Sequence, residues 1–174
     1  MMLASRWTGQ PVAGWWMSEK FDGVRAFWDG KALRTRTWRA ILAPWWFTAG
    51  LPAGVALDGE LWGGRGTFQL ASDLSRFDRS EDEAWQTMRL MVFDAPTTDA
   101  EPIETRVRLA ERLARGKSVE FVTQSRCPDG AFAAAEMARI VRGGGEGIVL
   151  KRPGSCYEFG RSVDWLKVKP AHVD

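Results

Sequence analysis

Residues 18–28, SEKFDGVRAFW, place a lysine, an aspartate, a glycine and an arginine between apolar side chains typical of β-strands. Lys20 is costly in such a segment unless its charge is paired or its pKa falls. A lysine that has lost its proton is a good nucleophile toward a phosphoryl centre. Gly23 permits a close backbone approach or a positive φ, and the planar guanidinium of Arg25 suits a phosphate or a ribose hydroxyl. The simpler alternative is a half-buried strand in which Lys20 and Asp22 form an ordinary ion pair.

Four further short motifs follow this stretch in the chain. They are LDGEL (57–61), VFD (92–94), EGIVLK (146–151) and WLKVK (165–169). Each string alone is common, but the five in this order resemble the motifs of the covalent nucleotidyltransferases, the superfamily of polynucleotide ligases and messenger-RNA capping enzymes. Residues 18–30 and 43–51 are most similar to the small ATP-dependent DNA ligases of bacteria.

The resemblance implies that Lys20 is the nucleophile, which forms a phosphoramidate with AMP and releases pyrophosphate. Lys167 and Lys169 would contact the α-phosphate, and with a divalent metal they would help to lower the pKa of Lys20 and stabilise charge on the phosphoryl group. The nucleoside contacts implied by the resemblance are Arg25 and Glu60 on the ribose, Phe93 on the base and Glu19 at the adenine edge.

Glu146 is the candidate ligand for Mg²⁺, or for Mn²⁺ in its place, with Glu60 as a second ligand and Asp58 as a possible helper. Carboxylate oxygens suit a hard cation, and Mg²⁺ usually takes one or two of them together with waters and phosphates. The alternative for Glu60 and Glu146 is an ion pair with a neighbouring lysine or arginine. The alternative for Phe93 is a plain core residue.

The complete reaction of the family would load AMP on Lys20, transfer it to the 5′-phosphate of nicked double-stranded DNA, and release it when the 3′-hydroxyl attacks. The net charge of +2 does not by itself indicate a polyanionic partner, so DNA contacts must come from local clusters. Salt-sensitive contacts with the DNA backbone are expected from Arg34, Arg36, Arg65, Lys151 and Arg152.

The composition is that of an ordinary globular domain, with 45% hydrophobic and 26% charged residues in 174. The only histidine, His172, lies in a polar tail, which excludes histidine-based triads and multi-histidine metal sites. Cys127 and Cys156 fit neither a disulfide framework nor a zinc site, and a disulfide between them stays open. No apolar run is long enough to span a bilayer. We expect a monomer in the cytoplasm, or in the periplasm if an export leader has been removed.

The pattern of many short strands, mostly linked by hairpins, with a few helices predicts an α+β fold with antiparallel sheets. Residues 1–14 read as an irregular lead-in, and Asp29-Gly30 predicts a hairpin whose second strand runs from Ala32 to Thr37. Amphipathic helices are predicted at 104–115 and, capped by Asp129, up to Arg142, with Phe132, Ala135, Ala138 and Val141 facing inward. The resemblance implies two sheets flanked by helices, with the nucleotide in the groove between them.

Ligases and capping enzymes normally continue past the fifth motif into an oligonucleotide-binding-fold domain, which this sequence does not contain. We therefore expect residues 1–174 to be one adenylation domain, a catalytic core that adenylates itself slowly and binds nicks weakly. An RNA ligase and a GTP-dependent capping enzyme are alternatives, as is a non-catalytic module that binds nucleotides or DNA. Use of NAD⁺ is less favoured, because the extra N-terminal domain of such ligases is missing.

Overall fold

The computed structural model describes residues 1–171, so His172 lies outside the described residues. The chain forms two compact units, each with its own sheet and its own hydrophobic core. The first unit comprises Met1–Phe21, Ala100–Glu104 and the chain from Thr123 onward, and the second comprises Asp22–Asp99 and Thr105–Val122. No helix within the described part of the chain is long and apolar enough to cross a membrane.

The described residues form eleven strands and four α-helices, together with a 3₁₀-helix at Glu83–Thr87. In chain order they are β1 (Met2–Arg6), β2 (Trp16–Lys20), β3 (Val24–Trp28), β4 (Leu33–Arg34), β5 (Ala40–Ile41), α1 (Trp45–Thr48), β6 (Leu57–Trp62), α2 (Phe68–Arg76), β7 (Arg89–Asp94), α3 (Ile103–Leu113), β8 (Val119–Phe121), β9 (Ser125–Arg126), α4 (Gly130–Arg142), β10 (Gly147–Lys151) and β11 (Gly160–Val168).

The sheet of the first unit has the strand order β1-β11-β10-β2-β9. The central strand β10 runs antiparallel to both β2 and β11, while β1 runs parallel to β11. The sheet of the second unit has the order β5-β4-β3-β6-β7-β8, and its edge strand β8 is parallel to β7. The α+β class with two sheets is therefore confirmed, and most strand pairs are antiparallel as predicted, but each sheet also has one parallel pair at its edge.

The segment expected to be an irregular lead-in contains β1. Met2 is fully buried, its amide donates to the Tyr157 hydroxyl at 3.0 Å, and it pairs with Gly160 at the start of β11. A strand whose partner is so distant in sequence has no turn signal beside it, which is why the sequence did not reveal β1.

The N-terminus of α4 is capped by Asp129 as predicted, because its carboxylate accepts a hydrogen bond from the Phe132 amide at 2.8 Å. The inward face predicted from the sequence, however, was wrong. Phe132 is 44% exposed, whereas Ala133 and Ile140 are buried and Met137 packs beside them. Alanines occur on more than one face of this helix, so the sequence alone does not decide which face is buried. Packing against the sheet selects Ala133, Met137 and Ile140.

The hairpin at Asp29-Gly30 is confirmed in the second unit. Oδ1 of Asp29 accepts hydrogen bonds from the Lys31 and Ala32 amides, and Gly30 has a φ of 96°. The second strand of this hairpin is β4, which is shorter than the predicted strand because the chain turns at Thr35–Arg39 and returns as β5.

Candidate active site

The first unit brings together Lys20, Glu146 and Lys169, which are far apart in the sequence. Lys20 ends β2 and pairs with Gly147, the first residue of β10, while β11 pairs on the other side of β10. Glu146 immediately precedes β10 and therefore lies between the ends of the two neighbouring strands. Lys20 Nζ donates to Glu146 Oε2 at 2.6 Å, and Lys169 Nζ lies 2.5 Å from Glu146 Oε1. The charge of Lys20 is thus balanced by Glu146, not by the local pair with Asp22 that the sequence offered as the simpler alternative.

We call Lys20, Glu146, Lys167 and Lys169 the lysine cluster. Burial alone would raise the pKa of Glu146, but hydrogen bonds from Lys169 and Lys20 bring that pKa below its ordinary value. Burial lowers the pKa of Lys167, and the positive charges of Arg161, Lys20 and Lys169 lower it further against the opposing charge of Glu146. One ionised carboxylate therefore faces several cations, and this excess of positive charge favours binding of an anion.

Arg161 is the member of this environment that sequence reasoning missed. It lies on β11, as Lys167 does, and it is the first charged group among those that lower the pKa of Lys167. Its Nη1 donates to the Ala4 carbonyl at 2.9 Å. The available signal was a basic residue on the same strand as a candidate lysine, outside any of the five motifs.

Two motif glycines are required by strand packing. An ideal Cβ at Gly147 would lie 2.1 Å from the Val168 carbonyl oxygen, and this residue has a φ of 147°. An ideal Cβ at Gly23 would lie 2.2 Å from the Leu61 carbonyl oxygen, without a positive φ. The sequence left two explanations for the glycine at position 23, a close approach of a ligand or a positive φ. The structure gives a different one, close contact with the backbone of β6.

The acidic residues fit a divalent cation only if the cation brings most of its own ligands. Within residues 1–171 no group of three or more His, Cys, Asp or Glu side chains could hold a metal. Glu146 offers a partly buried carboxylate that lies against two ammonium groups. Mg²⁺ needs only one or two protein carboxylates when phosphates and waters complete its shell, so Glu146 suits a metal that arrives with a triphosphate.

The second unit places three of the proposed nucleoside-binding residues on β3, β6 and β7. Arg25 pairs across the sheet with Glu60, and its Cζ lies 5.1 Å from the centre of the Phe93 ring. Nε and Nη2 of Arg25 donate to the two oxygens of Asp58, each at 2.6 Å. Asp58 is fully buried. The carboxylate of Asp58 thus fixes Arg25, and its role as a helper in metal binding stays a prediction.

Phe93 and Glu19 are both partly exposed. Partial exposure of Phe93 differs from the plain core residue that was the alternative, since its neighbours Val92 and Asp94 are fully buried. Glu19 lies on β2, paired with Ile148 and next to Lys20.

The candidate DNA contacts in the second unit differ in how exposed their side chains are. Arg36 is exposed, and Arg65 is exposed with its Cζ 5.7 Å from the centre of the Trp62 ring. Arg34 is partly exposed and forms an ion pair with Asp29, Nε to Oδ2 at 2.8 Å. Arg36 and Arg65 are therefore the better placed to meet a phosphate.

The two candidate DNA contacts in the first unit have opposite environments. Arg152 is half-exposed, forms an ion pair with Asp164 at 3.0 Å and lies over the ring of Trp15. Lys151 is only 1% exposed, and its Nζ lies 4.6 Å from the centre of the Trp165 ring. Lys151 is therefore much less accessible than Arg152, and its contact with a DNA backbone stays a prediction.

Three comparisons with known proteins agree on one family. Residues 47–169 match the family model described as ATP dependent DNA ligase domain. The chain is 33% identical over 173 residues to a DNA ligase of Haemophilus influenzae, covering 98% of this chain and 63% of that protein. It superposes on a Lig E DNA ligase, described as binding DNA with a minimal scaffold, with a TM-score of 0.89, 32% identity, and coverage of 98% of this chain and 68% of that one.

The ligase domain of LigD from M. tuberculosis is a more distant relative, with a TM-score of 0.68, 26% identity, and coverage of 97% of this chain and 58% of that one. The chain belongs to the ATP-dependent DNA ligase domain family. It spans 63% of the length of its Haemophilus influenzae relative.

Proposed function

We propose that this chain performs the nucleotidyl transfer of an ATP-dependent DNA ligase on nicked double-stranded DNA. The observation that carries the proposal is the lysine cluster, in which Lys20 Nζ is held 2.6 Å from an ionised Glu146 within an excess of positive charge. Such a cluster stabilises the negative charge of a phosphoryl group during transfer.

In the first step the Lys20 ammonium releases one proton to solvent, its nitrogen attacks the α-phosphorus of ATP, and a second proton leaves the nitrogen to solvent as the phosphoramidate forms. A nitrogen–phosphorus bond forms, and the bond between the α-phosphorus and the oxygen that bridges it to the β-phosphate breaks. Pyrophosphate leaves with the electron pair of that bond. Lys167 and Lys169 stabilise charge on the α-phosphate, and Glu146 holds Lys20 and Lys169 in position through its two oxygens. A magnesium ion, when bound with Glu146 and with Glu60 as a second candidate ligand, would supply further charge neutralisation on the phosphates.

In the later steps the 5′-phosphate of the nick takes the AMP, and the 3′-hydroxyl then displaces AMP to close the backbone. We assign Arg25 and Glu60 to the ribose, Phe93 to the base and Glu19 to the adenine edge. The fixed guanidinium of Arg25, held by both oxygens of Asp58, supports its assignment because a rigid donor loses little freedom on binding.

For the DNA backbone we assign the exposed Arg36 and Arg65, with Arg34 and Arg152 as secondary contacts. Binding through such residues is independent of sequence and weakens steeply with salt, because each phosphate contact releases bound counterions.

The test is the intact mass of the chain after incubation with Mg²⁺ and ATP, GTP or NAD⁺ in separate reactions. We expect an adduct of one AMP with ATP alone. Nicked DNA should then discharge the adduct and yield a sealed strand, while nicked RNA should not. Lys20→Ala should form no adduct, and Lys117→Ala, which changes an exposed lysine outside the lysine cluster, should react as the wild type does.

A GMP adduct would assign the chain to capping chemistry, and discharge by nicked RNA alone would make it an RNA ligase. A chain that forms no adduct with any nucleotide and does not seal pre-adenylated nicked DNA would be a binding module. Either group of results would contradict the proposal.

A further inference from the structure

The turn Thr35–Arg39, between β4 and β5, presents an aromatic side chain that the reaction described above does not use. Trp38 has a φ of 67° and is the only residue other than glycine with a positive φ in the described part of the chain. Its side chain is 51% exposed. A bulky residue with a positive φ is a backbone outlier, and glycine or asparagine would adopt this conformation at lower cost.

Hydrogen bonds hold the turn in this conformation. The Trp38 amide donates to the Thr35 carbonyl at 2.9 Å, the Thr35 amide donates to the Arg39 carbonyl at 2.8 Å, and the Arg39 amide donates to Thr35 Oγ1 at 3.0 Å. One part of the indole rests on Phe27, with the ring centres 5.4 Å apart. The rest of the indole is therefore held out in solvent at a fixed place, which lowers the entropy that a partner must remove on binding.

The surroundings of the turn are cationic. No aspartate or glutamate occurs in the sequence between Asp29 and Asp58, although that stretch contains Lys31, Arg34, Arg36 and Arg39. Arg36 and Arg39 flank Trp38 and are exposed, and Nη2 of Arg39 is anchored on the Arg76 carbonyl at 3.2 Å. A fixed aromatic ring with exposed arginines in the same turn is the combination with which proteins bind unstacked bases and their phosphates.

We propose that Trp38 contacts the nicked duplex directly, with its indole against a base or deoxyribose that the nick exposes, while Arg36 and Arg39 meet the flanking phosphates. The inference rests on the proposed function and adds to it a non-ionic contact that acts in DNA binding and not in nucleotide loading. The arginines then account for the salt dependence of binding, and the tryptophan adds affinity that salt does not screen.

The experiment compares Trp38→Gly, Trp38→Phe and the wild type on a nicked duplex that lacks the 3′-hydroxyl, so that binding is measured without sealing. Trp38→Gly relieves the positive φ but removes the ring, and we expect its dissociation constant to rise about five-fold to a hundred-fold. Trp38→Phe keeps an aromatic face and should retain most of the affinity. Self-adenylation of both variants should equal that of the wild type, which also reports that they are folded.

Phe132→Ala is the matched control, because Phe132 is exposed to a similar extent (44%) but lies on α4 between the acidic residues Asp129 and Glu136. It should bind the nick as the wild type does. The slope of the logarithm of the binding constant against the logarithm of the salt concentration should become smaller in magnitude by about one in Arg36→Ala. It should stay unchanged in Trp38→Gly.

If Trp38→Gly binds the nick as tightly as the wild type does, the inference is overturned while the proposed function stands. An equal loss in Phe132→Ala would also overturn it, because any exposed aromatic would then serve. A wild-type chain that adenylates but does not bind nicked DNA would overturn the role of Trp38 and DNA ligation together. Absence of both adenylation and binding would reject the proposed function as a whole.

Discussion

The two units hold their charged side chains in different ways. In the first unit, one glutamate faces several cations, and the ion pairs of Glu146 are partly exposed. In the second unit, Arg106 and Asp94 form a pair that is fully buried, and Asp58 pairs with Arg25 through both of its oxygens. A neutral buried pair stabilises only the arrangement of its own elements, whereas an unbalanced and partly exposed cluster leaves charge for a ligand.

The largest effect on stability is expected at the buried pair. Asp94→Ala should reduce the free energy of unfolding by about 3–5 kcal/mol, because it leaves the Arg106 guanidinium buried without its carboxylate. Urea denaturation of the wild type and of Asp94→Ala measures this difference in the free energy of unfolding. The double variant Asp94→Leu/Arg106→Met should lose less than Asp94→Ala does, and a loss below about 1 kcal/mol in Asp94→Ala would mean that the pair is not structural.

The corresponding change in the lysine cluster should affect activity more than stability. Glu146→Gln removes the charge that positions Lys20 and Lys169, so the rate of self-adenylation in a single turnover should fall about 100-fold. Its free energy of unfolding at neutral pH should change by no more than about 1 kcal/mol. Glu136→Gln, which breaks the exposed pair with Arg139 on α4, should leave the rate unchanged.

Acid unfolding gives a second measurement on Glu146. Its pKa is lowered in the folded protein, so its contribution to stability is complete above the ordinary value of 4.5 and is lost as pH falls through the lowered folded value. Stability measured below pH 4.5 should therefore fall less steeply in Glu146→Gln than in the wild type. If the free energy of unfolding fell equally steeply with decreasing pH in both proteins, Lys20 and Lys169 would not lower the pKa of Glu146 in the folded protein.

A smaller effect on stability is expected from the strand contact that positions Glu146. Gly147→Ala would place a methyl group against the Val168 carbonyl and should cost about 1–3 kcal/mol through crowding, with slower adenylation. Gly154→Ala is the control, because Gly154 also has a positive φ, of 71°, but has open space around it. It should cost only about 1 kcal/mol and leave the rate of adenylation unchanged, and equal rates in the two variants would refute the packing argument.

The smallest expected effect concerns Lys167. Lys167→Met removes a cation whose charged form is disfavoured in the folded protein, so it should stabilise the chain by about 0.5 kcal/mol at neutral pH while it slows adenylation. Between the lowered pKa and the ordinary 10.5 the unfolded wild type binds more protons, so its stability rises with pH and the gap to the variant should close. Melting temperatures of both proteins at pH 7 and pH 10 test this, and a destabilised Lys167→Met would contradict it.

The sequence predicted most elements whose signals are local. Residues close in the sequence determine the hairpin at Asp29-Gly30, the N-terminal cap of α4 at Asp129 and the helix α3. Strand β1 and the inward face of α4 depend on distant packing, and no nearby residue reveals them. Arg106 shows the same limit, because a helical pattern assigns an arginine to solvent unless its buried partner, Asp94, is known.

The motifs identified which residues could carry chemistry but not which atoms meet. Nothing near Lys20 in the sequence indicates that Glu146 holds it, since that contact needs β10 to pair with β2 in one particular register. The same limit applies to Asp58 and Lys151, whose contacts with Arg25 and Trp165 no neighbouring residue in the sequence indicates.

The most direct test of the central claim locates the nucleotide on the chain. After reaction with ATP and Mg²⁺, the protein is digested and the modified peptide is fragmented in the mass spectrometer. The account predicts AMP on Lys20 in the wild type and no AMP on any peptide of Lys20→Arg, which keeps the charge but cannot form the same phosphoramidate. AMP on another lysine, or an adduct that persists in Lys20→Arg, would contradict it.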